Sequence, residues 1–402
     1  MTDDPMVLDL MDSEPAYSTE SGGLFQGDSR ESLKQLSDGC IDLVVTSSPF
    51  ALQHKKEYGN EDQEGYNDWF MEFAEEVYRV LAPHGSFVIE IGGAFEKGWP
   101  KRSIYQFQLL TRLVEEGNFD LAQDFYWYNP AKLPNPIEWV NVRKIRVTDA
   151  VTHIWWLSKD VNKDSAVKDG ERPQPEASNQ RVLQEYSESH KNLLETGEYN
   201  DGKRSSGWDI DPESFANKNQ GSIPDNLIEG HSARDVLERW DEISALEFLE
   251  LISDEDPEDL SAGDLLRTLG MGGPEPDNLV EASNTASNTH YLRMCREFGF
   301  DHHPARFPRQ IPEFFISFLT PDPPYDDWDR GTLDRPIVLD IFAGSNLTGR
   351  VAESKGRYWL GFEQEEQYVQ TSQFRFMDED EIRDSLNDET SDFGEFAEVG
   401  ND

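Results

Sequence analysis

The stretch IDLVVTS, residues 41 to 47, runs β-branched and almost wholly apolar until it stops on the small turn-forming residues of SSPF, 47 to 50. A strand that is apolar on both faces has to be covered on both, the condition of a strand inside a parallel sheet flanked by helices. Its neighbours in sequence keep that pattern. GGLFQGDS (22 to 29) reads as a short strand ending at Gly27-Asp28, RESLKQL as a helix, and GYNDWFMEFAEEVYRVL (65 to 81) as a helix halted by the breaker Pro83-His84-Gly85. SFVIEIGG then reads as a strand, SIYQFQLLTRLVEEG as a helix, and LAQDFYWYNP with AVTHIWWLSK as a pair of strands. The alternation predicts an α/β fold with a mostly parallel sheet, and 402 residues can bury a sizeable core.

Past Lys159 the pattern dissolves. Residues 160 to 230 are polar and read as irregular loop or linker, whereas 231 to 269 regain helical spacing in ARDVLERWDEISALEFLELI and AGDLLRTLG but are strongly acidic. Order returns with THYLRMCREFGF, IPEFFISFLT and finally RPIVLDIFAGSNLTGRVAESKG with RYWLGFEQ, which is strand, loop, helix, strand. In that last unit the strand runs out at Asp340 and the small residues Ala343, Gly344 and Ser345 allow a tight turn into a helix near Leu347. A ligand can approach such a helix start at the carboxyl edge of the sheet, and Glu363 ends the next strand, where an acid holds ribose hydroxyls in nucleotide-binding folds. Taken singly the loop also fits a generic turn, and SSPF alone also fits a strand-ending turn with a core phenylalanine.

The formal charge is −44, from 80 acidic against 36 basic residues, a balance that argues against a nucleic-acid partner at ordinary salt. Only 14 of the basic residues are lysine. An acid-rich, lysine-poor surface resembles proteins of extreme halophiles, in which molar salt shortens the Debye length to about 3 Å and screens repulsion from phosphate. The few positive clusters, Lys55-Lys56, Arg143-Lys144-Ile145-Arg146 and Lys203-Arg204, are the candidate phosphate contacts, the second of them equally readable as a salt-bridged surface strand. Cys40 and Cys295 have no disulfide or metal spacing, so no metal is expected and a reducing cytoplasm suits the chain. The acidic start is unlike a signal peptide and no apolar run approaches the roughly 20 residues of a membrane span, so a soluble protein with no membrane partner is expected.

Together, DLVVTSSPF and DIFAGSNLTG, with KKEYGN, EVYRVLAPHGSFVIEIGG, FYWYNPAKLP, EWVNVRKIRV and HPARFP, resemble the S-adenosylmethionine-dependent amino-DNA methyltransferases of the circularly permuted β class, in their N4-cytosine branch and of haloarchaeal type. The resemblance spans roughly 22 to 159 and 282 to 370. It implies a Rossmann-like methyltransferase fold in which the chain starts at the third strand of the sheet and the first two strands arrive last. It also implies an acidic N-terminal tail (1–20), a catalytic half (21–159), a target-recognition region (160–290) with an acidic helical insert (231–280), a cofactor half (291–376) and an acidic C-terminal tail (377–402). Ser47, Ser48, Pro49 and Phe50 match the catalytic tetrapeptide. Asp28 matches an adenine contact; Asp340, Phe342, Ala343, Gly344, Ser345 and Asn346 match the methionine loop; Glu363 matches the ribose acid; and Phe307, in HPARFP, matches the segment over the methionine end.

The chemistry explains the tetrapeptide. An exocyclic amine of cytosine is a poor nucleophile because its lone pair is delocalised into the ring. The Ser47 hydroxyl and the carbonyl of residue 48 can accept the amine protons and aim the lone pair at a sulfonium methyl, with Phe50 stacking on a base swung out of duplex DNA and Pro49 stiffening the turn. The family has proline where this chain has Ser48, so a looser loop is expected. A serine in first place leans to N4-cytosine over N6-adenine, which stays open, as does a non-catalytic DNA-binding regulator that retained the fold. The absence of a Pro-Cys pair disfavours C5 chemistry. By the same resemblance the partner is double-stranded DNA at a short palindrome such as CTAG, in the nucleoid-associated cytoplasm. A cognate restriction endonuclease and the oligomeric state are left open.

Overall fold

Strand β1 (Tyr17–Ser18) turns back on β2 (Gly22–Gln26), and α1 (Ser29–Gln35) leads to β3 (Ile41–Ser47). Next come α2 (Tyr66–Val80), β4 (Leu81–Ile91), α3 (Tyr105–Glu115), β5 (Asp120–Tyr128), β6 (Val151–Ser158) and the short β7 (Leu227–Glu229). The order ends with α4 (His290–Phe298), α5 (Gln310–Leu319), β8 (Ile337–Asp340), α6 (Leu347–Ser354), β9 (Tyr358–Glu363), α7 (Glu366–Ser372) and α8 (Glu379–Asn387). The computed structural model describes residues 6–50, 65–96, 98–129, 137–159, 161, 176–186, 191–192, 194–195, 221–229, 290–304, 308–323, 325 and 333–387. The expected acidic insert at 231–280 lies outside them.

Among the described residues the strands form one sheet in the order β1-β2-β9-β8-β3-β4-β6-β5-β7. Strands β2, β9, β8, β3 and β4 are mutually parallel, and β6 runs against both β4 and β5. The α/β, mostly parallel expectation therefore holds. Strands β8 and β9, last in the chain, sit between β2 and β3, so the end of the polypeptide supplies the middle of the sheet. The two strands from LAQDFYWYNP and AVTHIWWLSK form an antiparallel hairpin.

Burial explains these assignments. One face of the sheet, with Val44, Ile89 and Leu360, is covered by Phe70, Val77 and Leu109 of α2 and α3. The opposite face, with Val45, Val88 and Trp359, is covered by Phe315 and Ile316 of α5 and Val351 of α6. Because successive β3 side chains feed both layers, the strand has to be apolar throughout.

Three local differences have physical causes. The breaker Pro83-His84-Gly85 does follow the end of α2 at Val80, but the strand read as starting at Ser86 already begins at Leu81: Ile41 opposite Leu81 is followed by Leu43 opposite Ser86, so the extra residues of β4 bulge out of the ladder. His84 in that bulge bonds Asp42 at 2.9 Å, and Asp42 also accepts the Ile337 N–H. Strand β7, inside a segment read as irregular, escapes periodicity because it is only three residues long. Within the segment read as an N-terminal tail, Val7 and Met11 are buried in the core. No helix among the described residues is long and apolar enough to cross a membrane.

Phe315 is fully buried and packs edge-on against Phe125 at 5.0 Å and Phe314 at 5.1 Å. Phe315→Ala is expected to lower unfolding free energy by about 3–5 kcal/mol, checked by urea denaturation.

Candidate active site

At the carboxyl edge of the parallel strands lies a cleft of about 310 Å³ whose walls bring the two halves of the chain together. Ser47, Ser48, Pro49 and Phe50 line one part of it, and Asp28, Phe342, Ala343, Gly344, Ser345 and Glu363 line another. Phe307, Lys55, Lys56, Lys203 and Arg204 lie outside the described residues.

The reactive side is built by β3 and β4. Ser47, the last residue of β3, pairs in register with Glu90 of β4 and donates its hydroxyl to the Glu90 carboxylate. Glu90 is buried, and sequence reading passed over it, although a lone acid in the apolar run SFVIEIGG is a signal in itself because a buried carboxylate needs a donor. The Ser48 N–H reaches the Glu90 carbonyl at 3.3 Å. The Phe50 ring lies close against Gly92, where a Cβ would come within 2.4 Å of the ring, so only glycine leaves room for it.

The other side is the loop after β8. Gly344 has φ +52, and a Cβ there would meet the His303 imidazole at 3.1 Å. Asp340 does not line the cleft. It lies behind the loop, accepting the hydroxyls of Thr46 and Thr348 at 2.7 Å each and the Phe342 N–H at 3.1 Å. Burial raises its pKa while these donors pull it back down. Asn346 does not reach the cleft wall either. Left-handed at φ +54, it caps α6 by accepting the Gly349 N–H at 3.2 Å and donates to the Tyr17 hydroxyl at 2.9 Å. These two residues, expected among ligand contacts, shape the loop from behind because every polar atom they own is needed there.

Glu363 ends β9 beside the loop. Its carboxylate accepts the Gly344 N–H at 2.7 Å and the Glu365 N–H at 2.9 Å. Burial lifts its pKa to about 7, against the pull of those amides. Asp28 has its pKa lowered chiefly by the hydrogen bond from Arg30, whose guanidinium grips both carboxylate oxygens and also Glu72.

The cation cluster at 143–146 is a loop, not the surface strand that was one reading of it. Arg143 is exposed but pairs with Glu138 at 2.7 Å, and Lys144 is exposed with φ +57. Arg146 turns inward, donating to the Pro100 carbonyl at 2.9 Å over the Phe95 ring. Half-buried, it ties its own loop to the one at Pro100.

A small-residue turn entering a helix, an acid ending the adjacent strand, and a cleft over the carboxyl edge define a doubly wound α/β protein that takes a nucleotide-type ligand. The family model described as DNA methylase matches residues 41–374. Type II methyltransferase M.PvuII of Proteus hauseri is 41% identical over 377 residues, covering 93% of this chain and 89% of that protein. Type II methyltransferase M.BamHI of Bacillus amyloliquefaciens is 31% identical over 114 residues, 27% of this chain and 25% of its own. The solved PvuII DNA methyltransferase (cytosine-N4-specific) superposes with a TM-score of 0.59 at 36% identity, covering 93% of this chain and 94% of that one. The chain belongs to the DNA methylase family.

Asn346→Gly, which tolerates the positive φ but loses the cap and the bond to Tyr17, is expected to cost about 1–2 kcal/mol and to move ligand affinity less than about threefold. Asn346→Ala is expected to cost more, because a Cβ at that φ adds strain. Thermal unfolding beside ligand titration checks both, and a large affinity loss in the glycine variant would return Asn346 to the contact set.

Proposed function

We propose that this protein is an S-adenosylmethionine-dependent DNA methyltransferase that acts on the N4 amine of a cytosine turned out of duplex DNA. The observation that carries this reading is the Ser47–Glu90 pair facing, across one cleft, the Gly344 loop and Glu363. Similarity to a cytosine-N4-specific enzyme over nearly the whole chain supports the choice of base and atom.

The cleft residues fit the cofactor. Glu363 offers acceptors suited to ribose hydroxyls, the bare Gly344 backbone permits close approach, and Asp28 lies where an adenine amine can be bonded. When bound, S-adenosylmethionine supplies an electrophilic methyl group on a positively charged sulfur. Ser47, its own proton committed to Glu90, presents oxygen lone pairs to the target amine, and the buried Glu90 charge makes that oxygen a stronger acceptor. The carbonyl of Ser48 accepts a hydrogen bond from the second amine N–H, which stays on the nitrogen. As the nitrogen gains the methyl group it loses one proton, which Ser47 relays to Glu90. Phe50, held against Gly92, stacks on the base and offsets part of the few kcal/mol lost in unstacking it. The intact serine–carboxylate pair weighs against a non-catalytic regulator.

The order of strands in the sheet supports circular permutation: the strands bearing the cofactor loop and the ribose acid come last in the chain, while those bearing the reactive groups come first. Acid excess supports a haloarchaeal type working in molar KCl. The comparisons lend no support to the CTAG palindrome. Single-molecule sequencing of DNA from cells with and without the gene reads out the base and the site together, and that site would be shared with any cognate endonuclease.

Ser47→Ala is expected to lower methyl transfer at least about 10²-fold with cofactor affinity unchanged, measured with labelled cofactor and duplex DNA in molar KCl. Unaltered activity would overturn the assignment. The Glu363 carboxylate accepts ribose hydroxyls best when ionised, and its pKa stands at about 7. Cofactor affinity should therefore weaken by about tenfold as pH falls from roughly 8 to 6, a dependence that Glu363→Gln flattens, checked by calorimetric titration.

A further inference from the structure

Ser48 stands where proline is expected and is almost completely buried. Its hydroxyl is not idle: Oγ accepts the Tyr66 hydroxyl at 2.9 Å. Tyr66 is the first residue of α2 and is fully buried, wedged between Trp69, Phe70 and Tyr105 with ring centroids 5.5, 6.0 and 5.1 Å away. Tyr105, the first residue of α3, meets the Tyr66 ring edge-on at 83° and donates its own hydroxyl to the Gly92 carbonyl.

Two helix starts thus each send one tyrosine hydroxyl to one side of the reactive centre. One fixes the loop after β3 at Ser48, the other fixes the loop after β4 at Gly92, where the Phe50 ring lies. One turn on from Tyr66, Trp69 stacks on Phe342 of the opposite cleft wall at 5.7 Å and 23°.

We propose that Tyr66 is a positioning residue for methyl transfer: its hydroxyl, bonded to Ser48, holds the loop carrying Ser47 and Phe50 in place of the stiffness a proline ring would give. Proline restricts a loop covalently by fixing φ. A hydroxyl pair does so only if it is buried from water and its aromatic partner cannot move, and both conditions are met here. The serine therefore need not loosen the loop, against the expectation from sequence, because a fixed ring in the next helix supplies the restraint. Misplacement of reacting groups by about 1 Å can cost roughly 10²-fold in rate, so the bond should be felt in turnover more than in binding.

This inference rests on the methyltransferase reading, and its test separates the two. Wild-type methyl transfer, measured first, tests that reading. Tyr66→Phe keeps the ring and removes the hydroxyl; it should lower the single-turnover rate roughly ten- to hundredfold while the cofactor Kd and the KM for DNA move less than about twofold. Ser48→Ala removes the acceptor, and adding Tyr66→Phe to it should slow transfer no further. In a Ser48→Pro background, whatever its own rate, Tyr66→Phe should again change the rate less than about twofold. Backbone amide exchange across residues 47–50 reads the tie without turnover: faster in Tyr66→Phe than in wild type, and equal with and without Tyr66→Phe in the Ser48→Pro background. An unchanged rate with unchanged exchange in Tyr66→Phe, or equal slowing by Tyr66→Phe with and without Ser48→Ala, would overturn the proposal. Should the wild type transfer no methyl group, the functional reading falls and the exchange comparison decides the tie alone.

Discussion

One buried carboxylate joins what the chain keeps far apart. Asp340, at the end of β8, accepts the hydroxyl of Thr46, 294 positions away at the end of β3, and the hydroxyl of Thr348 at the start of α6. Strands β3 and β8 are adjacent and parallel, but parallel pairing alone leaves their loops free to diverge beyond the last ladder bond. With its oxygens bonded to both elements and to the Phe342 amide, Asp340 sets the distance between the two loops. A buried charge costs free energy unless it is fully bonded, and that condition makes the geometry a single solution and not a range.

The same economy governs the rest of the cleft. Glu90, Asp340 and Glu363 are three buried acids, each with its own donors, and of the three Glu363 lines the cleft itself. Their surroundings separate them. Glu90 meets a serine at the reactive edge, Asp340 is consumed by structure, and Glu363 meets backbone amides and sits near neutrality. Behind the Gly344 loop Arg375, itself buried, donates to the Ser345 carbonyl at 2.7 Å and lies over the Tyr291 ring.

Much of this was legible from letters alone. The period of IDLVVTS and of the final strand–loop–helix–strand unit locates β3, β8, α6 and β9, and the candidate residues Ser47 to Phe50, Phe342 to Ser345 and Glu363 beside their loops line one cleft. What could not be read was direction. Asp340 and Asn346 belong to the loop, yet a polar residue at a strand end is written the same way whether it faces the ligand or the scaffold. Glu90 hid among apolar neighbours because its partner comes from another strand. Arg146 looked like a phosphate contact, and only the fold shows a carbonyl beneath it. Strands of two or three residues, β1 and β7, carry too few side chains to show a period.

Strand β1 has a larger role than its length suggests. It pairs antiparallel with β2, closing that margin of the sheet, and its Tyr17 hydroxyl reaches through the interior to Asn346 of the cofactor loop and Ser372 of α7. As the outermost strand, β1 is only two residues long and offers too short a row of backbone groups to template a strand from another copy. Any change that peels β1 away would expose the longer border of β2 and slacken the Gly344 loop in the same event.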